Sequence, residues 1–222
     1  MTSLARRCAA ELLGSALLLA AVVGSGIMAE RLAGGNAAIA LLANSLATGL
    51  VLYVLIVLFA DVSGSHFNPL VSLVACLDRT IMPRAAAAYA AAQLIGAIGG
   101  VALAHAMFGL ALILPSTRLR TGIGQWLAEG VATFGLILVV RGIARRGVQA
   151  VAAAVGAYIA GAYWFTASTS FANPAVTVAR GLTDTFAGIR PADVGSFVAA
   201  QSSGGVLGWL VCRVLFGSRA VD

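Results

Sequence analysis

Apolar residues run through this chain in six long blocks, at 8–29, 38–61, 85–108, 124–141, 148–169 and 194–216, parted by arginines and turn residues. A helix of ~20 apolar residues crosses the ~30 Å hydrocarbon layer of a bilayer. Five blocks reach that length, and the fourth lies within the usual range. Two stretches do not fit the six-block pattern: Gly64-Ser65-His66-Phe67-Asn68-Pro69 after the second block, and Ser170-Phe171-Ala172-Asn173-Pro174 after the fifth. A short apolar run follows each, Leu70 to Leu77 and Ala175 to Leu182. Asn is a favoured N-cap and Pro fits the first helical position, so each Asn-Pro predicts the start of a short helix. Nine residues at ~1.5 Å rise span roughly 13 Å, about half the hydrocarbon layer. Two such half-helices would begin near the membrane midplane.

The pattern repeats. Ala10-Glu11 at the start of block one matches Ala128-Glu129 in block four, and Asn68-Pro69 matches Asn173-Pro174. Gln93 with Gly96 and Gly100 matches Gln201 with Gly204 and Gly208. Each half holds three spans, an odd number, so the second half enters the membrane from the opposite side. An inverted repeat of this kind places its site at the midplane, where the halves meet. The expected organisation is a single channel domain over 1–222, with one repeat over 1–115, a linker from Pro115 to Thr121, and a second repeat over 122–222. The fold class is all-α membrane protein: six transmembrane helices, two re-entrant half-helices, an inverted three-helix repeat. The paired glycines suit close helix crossing in lipid.

Composition agrees. The chain is 60% hydrophobic and 10% charged, with a mean hydropathy of +0.98; soluble domains carry about a quarter charged residues. All 14 basic residues are arginine, scattered between apolar runs, so the net charge of +6 does not point to nucleic acid. Cys8, Cys76 and Cys212 form no paired framework, and with only His66 and His105 beside them no metal-ligand spacing is present. No cofactor or metal is expected. The first block has features of a signal peptide, but Glu11 interrupts it and its pattern recurs at Ala128-Glu129. Nine arginines fall on the side of the N-terminus (6, 7, 79, 84, 141, 145, 146, 213 and 219) and five on the other (31, 118, 120, 180 and 190). The positive-inside rule then puts both termini in the cytoplasm of a multi-pass cell (inner) membrane protein.

Non-helical backbone at membrane depth survives only where it lines a cavity or is buried in protein. The residues before each Asn are small and polar, as an unwound loop needs. Their free carbonyls would form a ladder of acceptors, and the two helix N-termini and Asn amides would supply donors. A neutral hydroxylated molecule exchanges hydrogen bonds along such a path, whereas a cation meets positive dipole ends.

The doubled Asn-Pro boxes, the Gly-x-His-Phe-Asn-Pro run before the first short helix and the two Ala-Glu starts resemble the aquaporin and aquaglyceroporin channels over the whole chain. The resemblance implies a passive pore for water and small uncharged solutes, assembled as a homotetramer in membrane lipid with one pore per subunit. It assigns Asn68, Pro69, Leu70, Asn173, Pro174 and Ala175 to the pore midplane. Glu11 and Glu129 would support the loops, with a proton relay as the alternative. His66 falls at the cytoplasmic mouth, in a packing or gating role. The sequence departs from the family at two places. The first box ends in Leu70 rather than Ala, and Val176 stands where the family usually has the arginine of its outer constriction. The other constriction positions fall by spacing on Thr48, Gly161 and Ser170, all small or medium and none charged or aromatic. Arg180, one turn beyond Val176, is expected to snorkel outward rather than reach the mouth. Asp61 reads as a solvated loop acid. A wide filter without its usual cation points to glycerol-like polyols and to neutral metalloid hydroxides such as arsenous acid, as in some bacterial members linked to arsenic resistance. A secondary transporter also uses inverted repeats and broken helices and is the rival reading. An enzyme is a poor third, because no nucleophile–base–acid set is visible.

Overall fold

A computed structural model describes residues 2–217; Met1 and 218–222, with Arg219 of the arginine count, lie outside the described residues. The described chain is helical: α1 (Leu4–Leu32), α2 (Ala37–Ser63), α3 (Pro69–Leu77), α4 (Pro83–Met107), α5 (Ile123–Ile143), α6 (Val148–Phe165), α7 (Pro174–Arg180) and α8 (Pro191–Phe216), with one 3-10 turn at Ala144–Arg146. Six of these helices are long and apolar enough to cross a membrane; α3 and α7 are the two short ones. An even number of crossings returns both ends of the chain to one side, called here the terminal side, with the outer side opposite.

Local chemistry sets the boundaries. Asn36 caps α2, its Oδ1 accepting from the N–H groups of Ala38 and Ile39 at 3.0 and 3.2 Å. Gly64 closes α2 in the left-handed conformation, φ +88°, which a side chain resists. Asp61 is exposed, but on the last turns of α2 rather than in a loop. α6 stops at Phe165, short of the predicted 169, because Thr166 is already extended (φ −112°, ψ 134°); Thr169 and Ser170 beyond it take φ values of +62° and +50°. Asn68 and Asn173 cap α3 and α7, with proline at the first helical position of each.

α1 packs against α4 and α2, α5 against α8 and α6, and α2 crosses α6 between the halves. Small residues let the backbones touch. A Cβ on Gly96 or Gly100 would overlap the carbonyl oxygens of Leu12 and Ala16 on α1. One on Gly204 would overlap that of Gly130 on α5, and one on Gly208 would stand 2.8 Å from that of Phe134. Gly49 and Gly156 face each other in the α2–α6 crossing, each hypothetical Cβ 2.6 Å from the other's carbonyl oxygen. Where lipid offers helices no hydrophobic drive to associate, such backbone contact supplies the packing energy.

Gly100→Leu should therefore push α4 off α1 and lower the unfolding temperature in detergent by several degrees, while Gly99→Leu, whose Cβ meets no atom within 4 Å, should leave it near wild type. Equal unfolding temperatures for the two variants would contradict this packing.

Candidate functional site

Each half-helix is preceded by a loop that cannot satisfy its own backbone. In the first half the chain takes positive φ at Gly64, Ser65 and Phe67; in the second, at Thr169, Ser170 and Ala172. These are the fourth, third and first positions before the Asn in both cases. Left-handed backbone at a non-glycine residue costs roughly 1 kcal/mol or more, so outside contacts must fix it. A buried carboxylate does so in each half. Glu11 accepts from the N–H groups of His66 (2.9 Å) and Phe67 (2.7 Å), from Ser63 Oγ (2.6 Å) and from Gln93 Nε2 (2.7 Å). Glu129 accepts from the N–H groups of Phe171 and Ala172, both at 2.9 Å, and from Gln201 Nε2 at 2.6 Å. Both acids are fully buried. The two glutamines reach on to the half-helices, Gln93 to Ser72 Oγ (3.1 Å) and Gln201 to Thr177 Oγ1 (2.7 Å). The sequence marks Gln93 and Gln201 as repeat positions; only the structure shows what they hold.

The asparagines then join the halves. Asn68 Oδ1 accepts from Leu70 N–H at 2.9 Å, while its Nδ2 donates to the carbonyl of Ala172 at 2.8 Å. Asn173 Oδ1 accepts from the N–H groups of Ala175 and Val176, and its Nδ2 donates to the carbonyl of Phe67 at 2.8 Å. Each amide thus caps its own helix and crosses to the opposite loop. The two helix N-termini are held face to face.

A cavity of about 330 Å³ runs past this junction. Asn68 and Asn173 line it, as do His66, Thr48, Ser170 and Val176. Pro69, Leu70, Pro174 and Ala175 are not in its wall; Leu70 is buried and packs towards Gly205 on α8. Gly161 is misplaced by the sequence reading. It is exposed and absent from the lining, because the α6 residues that face the cavity are Val148, Val151, Val155, Ile159 and Tyr163, three or four apart, and Gly161 lies on the far side of that helix. Tyr163 takes its place, its hydroxyl 3.3 Å from Thr48 Oγ1. The outer end is therefore not free of aromatic groups. Nor does Arg180 snorkel outward. It is 2% exposed, lines the cavity, lies over the Phe171 ring and donates from Nε to the carbonyl of Ala187. No apolar-to-polar gradient in sequence predicts that inward turn, because Phe171, in the loop before α7, and Ala187, in the loop after it, come together only in three dimensions.

At the terminal side the lining includes Asp78 and Arg141. The arginine count places Arg141 only by its side of the membrane; the structure buries it in an ion pair with Asp78 at 3.0 Å, with Trp209 Nε1 donating to Asp78 at 2.9 Å and Arg141 donating to the Trp209 carbonyl. The pair ties the end of α3 to α5 and α8 of the other half. Breaking such a pair from one side costs about 3–5 kcal/mol. His66 Nδ1 lies 3.0 Å from Ser72 Oγ, and its ring meets Tyr89 edge-on at 5.3 Å. Tyr89 in turn accepts from Arg7 Nε and donates to the Ser63 carbonyl. On the outer side the linker is fastened to the loop after α7: Leu114 N–H donates to the Leu182 carbonyl, Ser116 N–H to that of Gly181. Asp184 accepts from Thr117 N–H at 2.9 Å, which pulls its carboxyl below the ordinary range.

If the carboxylates hold the loops, Glu129→Ala leaves the N–H groups of Phe171 and Ala172 unpaired at ~1–3 kcal/mol each, whereas Glu129→Gln keeps one acceptor oxygen. Water flux and unfolding temperature should both fall in the order wild type, Gln, Ala, with Glu11 variants parallel. An Ala variant as stable and conductive as the Gln variant would remove the carboxylates from this role.

The comparisons with known proteins agree with this geometry. The family model for major intrinsic protein matches residues 1–146. The aquaglyceroporin AqpS of Rhizobium meliloti is 53% identical over 212 residues, 96% of this chain and 91% of that one. Aquaporin AqpM of Methanothermobacter marburgensis is 33% identical over 65% of this chain and 67% of its own. The X-ray structure of the aquaglyceroporin from Plasmodium falciparum superposes with a TM-score of 0.73 over 96% of this chain and 97% of that one, at 20% identity, a likeness of fold. With six apolar spans, two half-helices joined tip to tip and these relatives, the chain belongs to the major intrinsic protein family, as a multi-pass membrane channel and not an enzyme.

Proposed function

We propose that the pathway carries water, glycerol-like polyols and neutral metalloid hydroxides such as arsenous acid, passively and without coupling to an ion. The observation that carries this reading is the reciprocal crossing of Asn68 and Asn173 beside a continuous cavity. Each Asn amide has a second N–H beyond the one given to the opposite loop, so a solute hydroxyl passing the junction finds a donor on either side. The loop carbonyls offer acceptors. Small hydroxylated molecules satisfy both sets at once, while a cation loses its water shell against two helix N-termini. The name aquaglyceroporin borne by the Rhizobium meliloti relative supports glycerol as one solute.

Val176 supports the larger solutes. It lines the cavity three residues beyond Asn173 and offers a short apolar side chain with no donor. Thr48, Tyr163 and Ser170 complete the polar part of this outer region, Tyr163 replacing Gly161 in the reading. The two repeats, 1–115 and 122–222, act as one channel domain. We place the channel in the inner membrane with both termini cytoplasmic, supported by the arginine count, and as a homotetramer, supported by the family.

Val176→Arg adds a planar five-donor cation to the opening. In proteoliposomes the variant should keep most of the water permeability and lose glycerol and arsenous acid uptake by a large factor, while Val176→Ala should change neither much. Wild-type uptake of both larger solutes by a correctly inserted Val176→Arg would overturn the assignment of the constriction.

A further inference from the structure

Each half leaves a backbone carbonyl in the same place, five residues before its asparagine: Ser63 in the first half and Ser168 in the second. Neither has a partner within a helix, because α2 ends at Ser63 and α6 at Phe165. In the first half Tyr89 of α4 supplies the donor. Its hydroxyl bonds the Ser63 carbonyl at 2.8 Å, and Arg7 Nε donates to that hydroxyl at 2.6 Å. Tyr89 lies four residues before Gln93; the matching residue, four before Gln201, is Phe197. The rings correspond in space as well. Tyr89 meets His66 edge-on and Phe197 meets Phe171 edge-on, both at 5.3 Å, with His66 and Phe171 each two residues before their asparagine. Phe197 is fully buried, and a phenylalanine has no hydroxyl to give. The Ser168 carbonyl is taken instead by Arg120 of the linker, whose Nη1 donates to it at 3.0 Å while Nε donates to the Gly188 carbonyl at 2.8 Å. One planar group thus joins the loops before and after α7. Arg120 is seated in turn: its backbone N–H donates to Asp193 on α8 at 3.0 Å, and its Cζ stands 4.9 Å from the centroid of the Phe171 ring.

We propose that Arg120 is a positioning residue for solute specificity: by holding the Ser168 carbonyl it fixes the turn that brings Ser170 and Phe171 to the cavity wall. The proposal rests on the channel reading and deepens it. Arg120 is not itself in that wall, so its effect travels through the loop. Thr169 and Ser170 take left-handed backbone, which bonds from outside the turn must keep in place. Glu129 grips the inner end, at the N–H groups of Phe171 and Ala172, and Arg120 grips the outer end, at Ser168. Releasing the outer end lets the turn relax, and its backbone and the Phe171 ring lose their fixed places along the wall. Water presents a single oxygen and passes an uneven lining. A polyol must set several hydroxyls against fixed acceptors at once and loses more. Arginine suits the task because its rigid fork spans two carbonyls in one geometry.

Water and glycerol permeabilities measured side by side in proteoliposomes test this, because a mere loss of folded channel lowers both alike and leaves their ratio unchanged. In Arg120→Ala the glycerol-to-water ratio should fall on the order of tenfold, the equivalent of one charge-assisted hydrogen bond. Adding Phe197→Tyr to that variant puts a hydroxyl where the first half has that of Tyr89, and should return the ratio towards wild type. An unchanged ratio in Arg120→Ala overturns the proposal. A lowered ratio that Phe197→Tyr leaves unaltered also overturns it, since Arg120 would then act elsewhere than at the Ser168 carbonyl. Should Arg120→Ala fail to insert, Arg120→Met, which keeps an unbranched stem and drops the donors, takes its place with the same two outcomes. A wild type that passes neither water nor glycerol would instead strike the channel reading, which this experiment thereby keeps separate.

Discussion

Backbone that leaves the helical conformation inside hydrocarbon must find partners for every N–H, and the rest of this structure follows from how it does so. Glu11 and Glu129 each collect two consecutive loop N–H groups and a glutamine amide in a fully buried setting. The carboxylates face inward from α1 and α5, so those helices must lie close behind the loops. That closeness is reached through the glycine contacts of α4 on α1 and α8 on α5. Once the N–H groups are taken up from behind, other loop carbonyls are left for the opposite asparagine and for a solute. The asymmetry of donors behind and acceptors in front makes a broken helix into a lining.

The halves are joined by chemistry more than by area. Two amide-to-carbonyl bonds of 2.8 Å cross between the tips of the half-helices. A buried ion pair, Asp78 with Arg141, joins them on the terminal side. On the outer side His105 of α4 reaches Thr183, just past α7, at 2.7 Å. Both half-helices are therefore held at both ends by residues of the other half. Such a junction resists the rocking of one half against the other that a transporter needs, and fits a path that stays open.

Much of this was legible in the chain. Periodicity and length gave six spans and two half-helices. The matched Ala-Glu, Asn-Pro and Gln-x-x-Gly positions gave the inverted repeat, because those residues serve local geometry that each half must build for itself. What escaped was whatever depends on contacts between distant segments. Spacing from the boxes puts Gly161 in the outer constriction, but the phase of α6 turns Ile159 and Tyr163 to the cavity and Gly161 away from it. Arg180 reads as a snorkelling surface residue until the return loop carrying Ala187 and the Phe171 ring enclose it. Arg141 reads only as a basic residue at the end of a span, since nothing local tells a solvated charge from one meeting its partner across the bundle.

Concentration and temperature dependence of glycerol flux in proteoliposomes tests the central claim most directly. A permanently open path predicts flux linear in glycerol over the accessible range, a low activation energy close to that of water flux in the same vesicles, and no response to an imposed proton or sodium gradient. Saturable flux with a high activation energy, or uptake driven uphill by either gradient, would contradict it.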